Sequence, residues 1–443
     1  MSALPWLLNP LAALAGALLG MLTACVPALH IYSLLPWLLY GALPALAFVE
    51  PASVTVPFAI GLVVGWSVAN SITAMLLSAP DESAIYTVLP GQKLLMQGAG
   101  LEAVLLTAWG AAGGLLLLCA GLPLAPRLLP PIHAVLRPHY HWILWAVIAF
   151  MLLSEWPKDR LTGPAGWRRF CAAWQGPAAG LLTFVLAGVF GFILLNRSPL
   201  PPERASQNLT PAFIGLFGLP WLILNLVSRV ALPQQQVSGL PRPRLRTLVH
   251  GIGAGALGGA FAAFVPVVTG GIGGMLAGHA SNTRDDRTFL VAQGASKAVY
   301  YAGGILLFFV PGLHLTRGGA AWAVHGVYTP GQPGEYGAAA LALAAAALTV
   351  LGLLPWLARG YVRRLHVLPY RGLSAIALLL SVALGVAAAG WHGLLIMAAA
   401  TGIGLIPVLF NSRRVNCLGI ILLPMACAMS DVATPVVRWL GLL

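Results

Sequence analysis

Two stretches of this chain, 239 residues apart, carry the same design. Gly16 to Leu29 reads GALLGMLTACVPAL, and Gly255 to Val268 reads GALGGAFAAFVPVV. Laid over each other, Gly16/Gly255, Ala17/Ala256, Leu18/Leu257, Gly20/Gly259, Ala24/Ala263, Val26/Val265 and Pro27/Pro266 are identical. Each stretch is a helix of small apolar residues that runs into a proline. Proline lacks the backbone donor and its ring clashes with the preceding turn, so each helix is expected to break there. Apolar sequence resumes beyond each break, at Ile31 to Val49 and at Gly270 to Ala280. Low-complexity Gly/Ala/Leu helices match by chance at a few positions; matches that end on the same Val-Pro argue for an internal repeat. Two broken apolar segments at corresponding places in two halves point to the binding site of a transporter.

The composition tells which solvent such helices meet. The chain is 59% hydrophobic and 8% charged, with mean hydropathy +0.87. A soluble domain carries about 25% charged residues, so there is too little polar surface here for a water-soluble globule. The expected class is an all-α polytopic membrane protein. The five cysteines (Cys25, Cys119, Cys171, Cys417, Cys427) show no ligand spacing and read as small core residues. The start MSALPWLLNP lacks the basic region of a cleavable signal peptide. The net charge of +13 belongs mostly to cytoplasmic loops facing anionic lipid; it permits an anionic substrate without requiring one, and no nucleic-acid partner is expected.

A spanning helix needs about 20 mainly apolar residues. The first half, 1–230, reads as a hairpin over 6–49 broken at Pro27, then spans over 51–79, 101–122, 140–156, 177–195 and 211–230. A basic linker, 231–246, divides the halves. The second half, 247–443, reads as a hairpin over 248–280 broken at Pro266, a span to Phe309, and a polar loop from Pro311 to Glu335. Spans over 336–357, 372–389 and 391–410 follow, then a last segment over 418–440. With the basic clusters 158–169, 229–246 and 359–371 in the cytoplasm, the parity closes. The first hairpin then dips from outside and the second from inside. The expected architecture is two inverted repeats, each a proline-broken hairpin plus about five spans, which suits alternating access.

Chemistry has few places to reside. Asp81-Glu82 follow Pro80 at the end of a long span, and Asp285-Asp286 are their counterparts by position. They read either as solvated charges at helix starts or as gating and coupling groups. Asp431, within the final apolar stretch, is a coupling candidate because an acid inside a span is costly. Beyond the breaks lie His30 and Ser33 after Pro27, and Thr269 after Pro266. Broken helices expose backbone N–H groups and a positive dipole end, which hold an anion. Ser71 and Thr73 offer hydroxyls. Lys297, inside a span and about one turn from Tyr300 and Tyr301, must pair, snorkel or meet a substrate. There is no Ser-His-Asp grouping, metal cluster or Walker A sequence, so neither an enzyme nor a cofactor is expected, and a gradient of H⁺ or Na⁺ would drive the cycle.

Several of these stretches resemble a known family. Gly16 to Leu39, NSITAMLLSAPDESAIYTVLPGQKLLMQG from Asn70 to Gly98, and Leu248 to Gly294 with its DDRTFLVAQG are similar to the large permease (TctA) of tripartite tricarboxylate transporters. The shorter, stand-alone branch, in which APDE…VLPG follows the first long span, is the nearer likeness. The residues after the break prolines, glycine in the family, are here Ala28 and Val267. The resemblance implies a secondary transporter, carboxylate uptake, a periplasmic binding protein and a small membrane partner.

Taken together, the sequence leads to a multi-pass protein of the inner membrane that moves an anionic small molecule held between Pro27/His30 and Pro266/Thr269. The alternative is a translocase for a lipid-linked phosphate such as polyprenyl phosphate. The lipid bilayer is a partner by composition, and a homodimer is left open.

Overall fold

The structure is a computed structural model that describes residues 4–27, 29–42, 51–77, 79, 82–83, 85–157, 166–200, 207–228, 233–237, 243–281, 285–332, 334–365 and 370–443. Every regular element among them is helical, as lipid demands of a chain that must satisfy its own backbone. In order these are α1 (Leu4–Ala24), α2 (Ile31–Trp37), α3 (Pro51–Ala69), α4 (Ser71–Leu76), α5 (Val88–Met96) and α6 (Gly100–Gly121). Then come α7 (Ala125–Leu136), α8 (Tyr140–Leu153), α9 (Trp167–Asn196), α10 (Leu209–Phe213), α11 (Leu219–Val227), α12 (Leu245–Phe264) and α13 (Gly270–Ala280). The chain closes with α14 (Asp286–Leu307), α15 (Gly318–His325), α16 (Gly334–Arg364), α17 (Tyr370–Leu409), α18 (Gly419–Met429) and α19 (Ala433–Trp439).

Seven segments among the described residues are long and apolar enough to cross a bilayer: Val54–Leu76, Gly100–Gly121, Trp167–Asn196, Leu209–Val227, Leu245–Phe264, Gly334–Arg364 and Arg371–Leu409. Large apolar side chains such as Leu116, Trp142, Leu348, Trp356 and Leu379 are exposed, as lipid-facing surface is. This is a multi-pass membrane protein. Helix α14 has the length of a span, but Gln293, Ser296, Lys297, Tyr300 and Tyr301 lower its hydropathy; it is instead buried in protein along nearly all its length.

Both helices stop where the prolines predict. α1 ends at Ala24 and α2 begins at Ile31; α12 ends at Phe264 and α13 begins at Gly270. The break foreseen near Gly390 is present inside α17, where Gly390 takes φ 60°. Other readings need correction. The expected polar loop 311–335 contains α15. Ala125–Leu136, not foreseen as an element, forms a helix with no buried residue despite Pro130 and Pro131. The last segment is two helices, α18 and α19, parted at Asp431.

The chain packs into two compact units, Met1–Ala134 with Ser228–Ala377, and Val135–Val227 with Leu378–Leu443. Each unit draws on both halves of the sequence. In the first, α1 lies on α3 through glycines so close that a methyl at Gly16 would strike the Phe58 carbonyl and one at Gly20 the Leu62 carbonyl. α12 lies on α14 in the same way, Gly255 against the Ala292 carbonyl and Gly259 against that of Ser296. The two seams correspond at a constant offset of 239 on one helix and 234 on the other. Helix pairs without a hydrophobic drive between them use such small-residue contacts. The remaining long helices are exchanged: α6 of the first half packs on α14, and α16 of the second half packs on α1 and α3. Gly110 meets the Val291 carbonyl and Gly294 the Thr107 carbonyl at the first of these contacts.

The second unit is held by α9 on α18, where Gly191 abuts the Ile420 carbonyl and Gly419 that of Phe184. Its polar knot is Glu155, which accepts from Ser412 Oγ (2.9 Å), the Arg413 amide (2.8 Å) and Asn416 Nδ2 (2.8 Å).

Candidate functional site

A helix end leaves carbonyls without partners, and at the first break side chains supply them. Thr73 Oγ1 donates to Ala24 O (3.1 Å), Tyr361 OH to Cys25 O (3.3 Å) and Trp66 Nε1 to Leu29 O (2.9 Å). His30 is the N-cap of α2, its Nδ1 accepting the Tyr32 amide at 3.0 Å. The other ring nitrogen, Nε2, lies 2.7 Å from Glu82 Oε2. Tyr301 OH donates to Glu82 Oε1 at 3.0 Å. Trp66 packs edge-on to His30, 4.7 Å between centroids, and also meets Tyr301. Lys297, from α14, bonds Asn70 Oδ1 at 2.5 Å and stands over the Trp66 ring at 5.0 Å. Asn70 sits in the turn that parts α3 from α4. Glu82 and Lys297 are only 3% and 5% exposed.

The second break is furnished differently. Arg317 Nε donates to Phe264 O (3.1 Å) and Ser296 Oγ to Gly270 O (2.6 Å). Val267 takes φ 53°, a left-handed conformation that a β-branched residue rarely adopts. Thr269 precedes α13 in extended conformation without capping it, and its buried hydroxyl has no hydrogen-bond partner among the described residues. The first turn of α13, Gly270-Gly271-Ile272, therefore ends in amides that no side chain caps.

The second break lies against the loop that carries Glu82, and α2 reaches α14. A methyl at Gly271 would come 3.0 Å from Ser83 O and 3.1 Å from Glu82 O, and one at Gly270 3.1 Å from Lys297 Cα. Tyr32 OH and Tyr300 OH, one from each half, are 3.2 Å apart. Beside them lies a cavity of about 20 Å³ lined by Ser67, Ser71, Ser83, Thr107, Gln293 and Lys297, among others. That volume suits about one water molecule. Gln293, 1% exposed, has neither its amide oxygen nor its nitrogen bonded among the described residues.

Of the residues singled out in the sequence, Pro27, His30, Ser33, Ser71, Thr73, Glu82, Pro266, Thr269 and Lys297 all lie in the first unit, at or near the breaks. Thr73 is spent on a helix end. Ser71 donates to Val68 O and lines the cavity. Ser33 is buried in the first turn of α2. Asp81 lies outside the described residues. Asp285 and Asp286 stand apart from the buried cluster, at the start of α14. Asp285 is its N-cap, accepting from the Thr288 amide (3.0 Å) and hydroxyl (2.9 Å). Partial burial pushes the Asp285 carboxyl up, but those two bonds, the Arg287 amide and the Arg287 charge outweigh it and hold it below the usual carboxylate range. Asp286 pairs with Lys93 at 2.5 Å, and Arg287 with Glu102 at 2.6 Å, on exposed surface. Asp431 belongs to the second unit, exposed in a turn at φ 58° rather than within a span. Trp66, Asn70 as the lysine's partner, and Gln293 were not anticipated as site residues. Among the described residues no three His, Cys, Asp or Glu side chains gather as a metal site.

The model of the tripartite tricarboxylate transporter TctA family matches residues 11–419. An uncharacterised protein of Methanocaldococcus jannaschii is 27% identical over 289 residues, 65% of this chain and 66% of that protein, just under two thirds of the relative's length. No solved structure matches.

Proposed function

We propose, from the premise that this chain belongs to the tripartite tricarboxylate transporter TctA family, that it is a secondary transporter of a carboxylate anion in the inner membrane. It would work by alternating access between two inverted copies of the broken-helix unit, coupled to H⁺ or Na⁺. The observation that carries this reading is the first turn of α13. Its uncapped amides and the Thr269 hydroxyl, unpartnered among the described residues, lie beside the Lys297 backbone and the Glu82 and Ser83 carbonyls. An anion at a helix N-terminus gains from several N–H groups and the dipole at once. The Lys297 side chain, held by Asn70 over the Trp66 ring, would turn toward the anion. The water-sized cavity fits a closed state, so a carboxylate enters only when the breaks move apart. A binding protein, a small membrane subunit and self-association are partners the family suggests. Family membership lends no support to the lipid-linked phosphate.

The test is uptake of radiolabelled citrate and succinate by the full chain in proteoliposomes. Lys297→Met and Thr269→Val should each lower kcat/KM, the lysine change by at least about tenfold, as expected for loss of a charge-assisted contact worth about 1.5–3 kcal/mol. Undiminished uptake in both variants, or no uptake and no exchange by the wild type, overturns the reading.

A further inference from the structure

His30 and Glu82 are built as donor and acceptor. A ring nitrogen that accepts a hydrogen bond carries no proton, and His30 Nδ1 accepts the Tyr32 amide. The ring proton is therefore on Nε2, facing Glu82 Oε2 at 2.7 Å. Glu82 Oε1 takes the Tyr301 hydroxyl proton. As built, the imidazole is neutral and the carboxylate bears the charge. We infer that His30 and Glu82 form one proton-binding site, in which the proton of the transport cycle is taken on Glu82. The inference rests on the transporter reading for its meaning, and it names the coupling ion.

One added proton has three places to go, His30 Nδ1 and the two oxygens of Glu82; on Oε1 it would turn the Tyr301 hydroxyl away. On His30 it must take Nδ1, whose lone pair already holds the Tyr32 amide, so α2 would lose its N-cap. On Glu82 Oε2 it makes a hydroxyl facing the Nε2–H donor. The charge-assisted His30–Glu82 bond is lost and the cap of α2 survives, while Nε2–H keeps Tyr301 OH within reach at 3.4 Å. The Oε2 route disturbs least.

Opening that bond has a defined result. His30 belongs to the first break, while the Glu82 and Ser83 carbonyls lie against Gly271 at the second. The bond is a tie between the breaks, and a proton on Glu82 releases it. The titratable and charged groups around the pair are Tyr32 on α2, and Lys297, Tyr300 and Tyr301 on α14. Tyr86 lies on the turn after Glu82, and Arg317 and His325 bound α15. α3 faces the pair with Trp66 and α13 with Gly271. Lys93 on α5 is engaged by Asp286, and Asp81 lies outside the described residues.

The proton is read directly by infrared difference spectroscopy of the full chain in lipid vesicles during acidification. The wild type should gain a protonated-carboxyl C=O band that Glu82→Gln lacks. His30→Asn keeps an oxygen to cap the Tyr32 amide but removes the donor to Glu82. It should move the onset of that band upward by about one pH unit, a tenfold change in proton affinity. A band unchanged in Glu82→Gln, or an onset unmoved in His30→Asn, overturns the inference; if Glu82→Gln does not fold, His30→Asn alone decides. In proteoliposomes a pH gradient should accelerate wild-type uptake of citrate or succinate, and any exchange that Glu82→Gln shows should not respond to that gradient. A wild type that shows the band but exchanges neither acid counts against the carboxylate reading and leaves the proton site standing.

Discussion

At Pro27 the carbonyls of Ala24, Cys25 and Leu29 are tied by Thr73, Tyr361 and Trp66, and α2 is capped by His30. At Pro266 the carbonyls of Phe264 and Gly270 are tied by Arg317 and Ser296. The Thr269 hydroxyl there is buried without a partner, and α13 starts without a cap. Two stretches that share seven identities thus differ in what they leave open. The first break has three carbonyls bonded by side chains and carries a titratable pair. The second leaves the first turn of α13 uncapped by Thr269, as the proposed anion site requires, and it also holds strain at Val267. The glycine seams behind the two breaks have not diverged. Scaffold and site have therefore been under different constraints.

The largest expected effect tests the part the two regions share. Gly16→Leu and Gly255→Leu each drive a side chain into a backbone carbonyl that cannot retreat. Each should cost more than about 3 kcal/mol, read as loss of folded protein on size-exclusion chromatography. A tolerated leucine at one seam only would break the equivalence. Next comes the part that differs. His30→Ala removes a cap and leaves the buried Glu82 carboxylate without its donor, so it should destabilise by about 3–5 kcal/mol. Thr269→Ala removes a hydroxyl that makes no bond and should change stability by less than about 0.5 kcal/mol. Thermal unfolding in detergent compares them, and equal losses would erase the distinction.

A smaller effect lies at the acids that correspond by position. Glu82 is buried, but Asp285 only caps α14. The Asp285 carboxyl is held below its ordinary range in the folded chain. Its contribution is therefore present above its unfolded value of about 3.9 and is lost as the pH falls through the folded value. Asp285→Ala should cost about 1 kcal/mol at pH 7, and its unfolding midpoint should converge with the wild type only as the pH falls below the unfolded value of about 3.9. Smallest of all, Val267→Gly relieves a left-handed β-branched residue. It should stabilise by about 1 kcal/mol at most, since glycine gives back some entropy in the unfolded chain. A lowered midpoint would show that the valine side chain, not its backbone, matters at the second break.

The helical class and both breaks were legible because proline acts locally and seven identities repeat at one offset. Glu82 and His30 could be named as candidates but not as partners. They are 52 positions apart, and only the approach of the loop after α4 to the first break joins them. Lys297 stood out as a charge in a span, yet its partner Asn70 lies in the other half of the chain. Gln293 gave no signal, because an amide among apolar residues looks like any buried polar side chain until its neighbours are known. α7 and α15 were missed for a different reason: neither has the length or the apolar run by which spans are recognised. The exchange of α6 and α16 is likewise invisible to repeat matching, which finds what is alike and not what it touches.

That exchange reaches into biosynthesis. A ribosome that has delivered only the first half leaves α6 without α14, and α1 and α3 without α16. The glycine-rich face of α6 and the sides of α1 and α3 that α16 covers then lie bare in the membrane until the chain has been made through Arg364. Nascent protein of this kind should depend on insertion machinery or chaperones that hold such faces apart. Two half-length polypeptides made together should find each other, while either alone should be degraded.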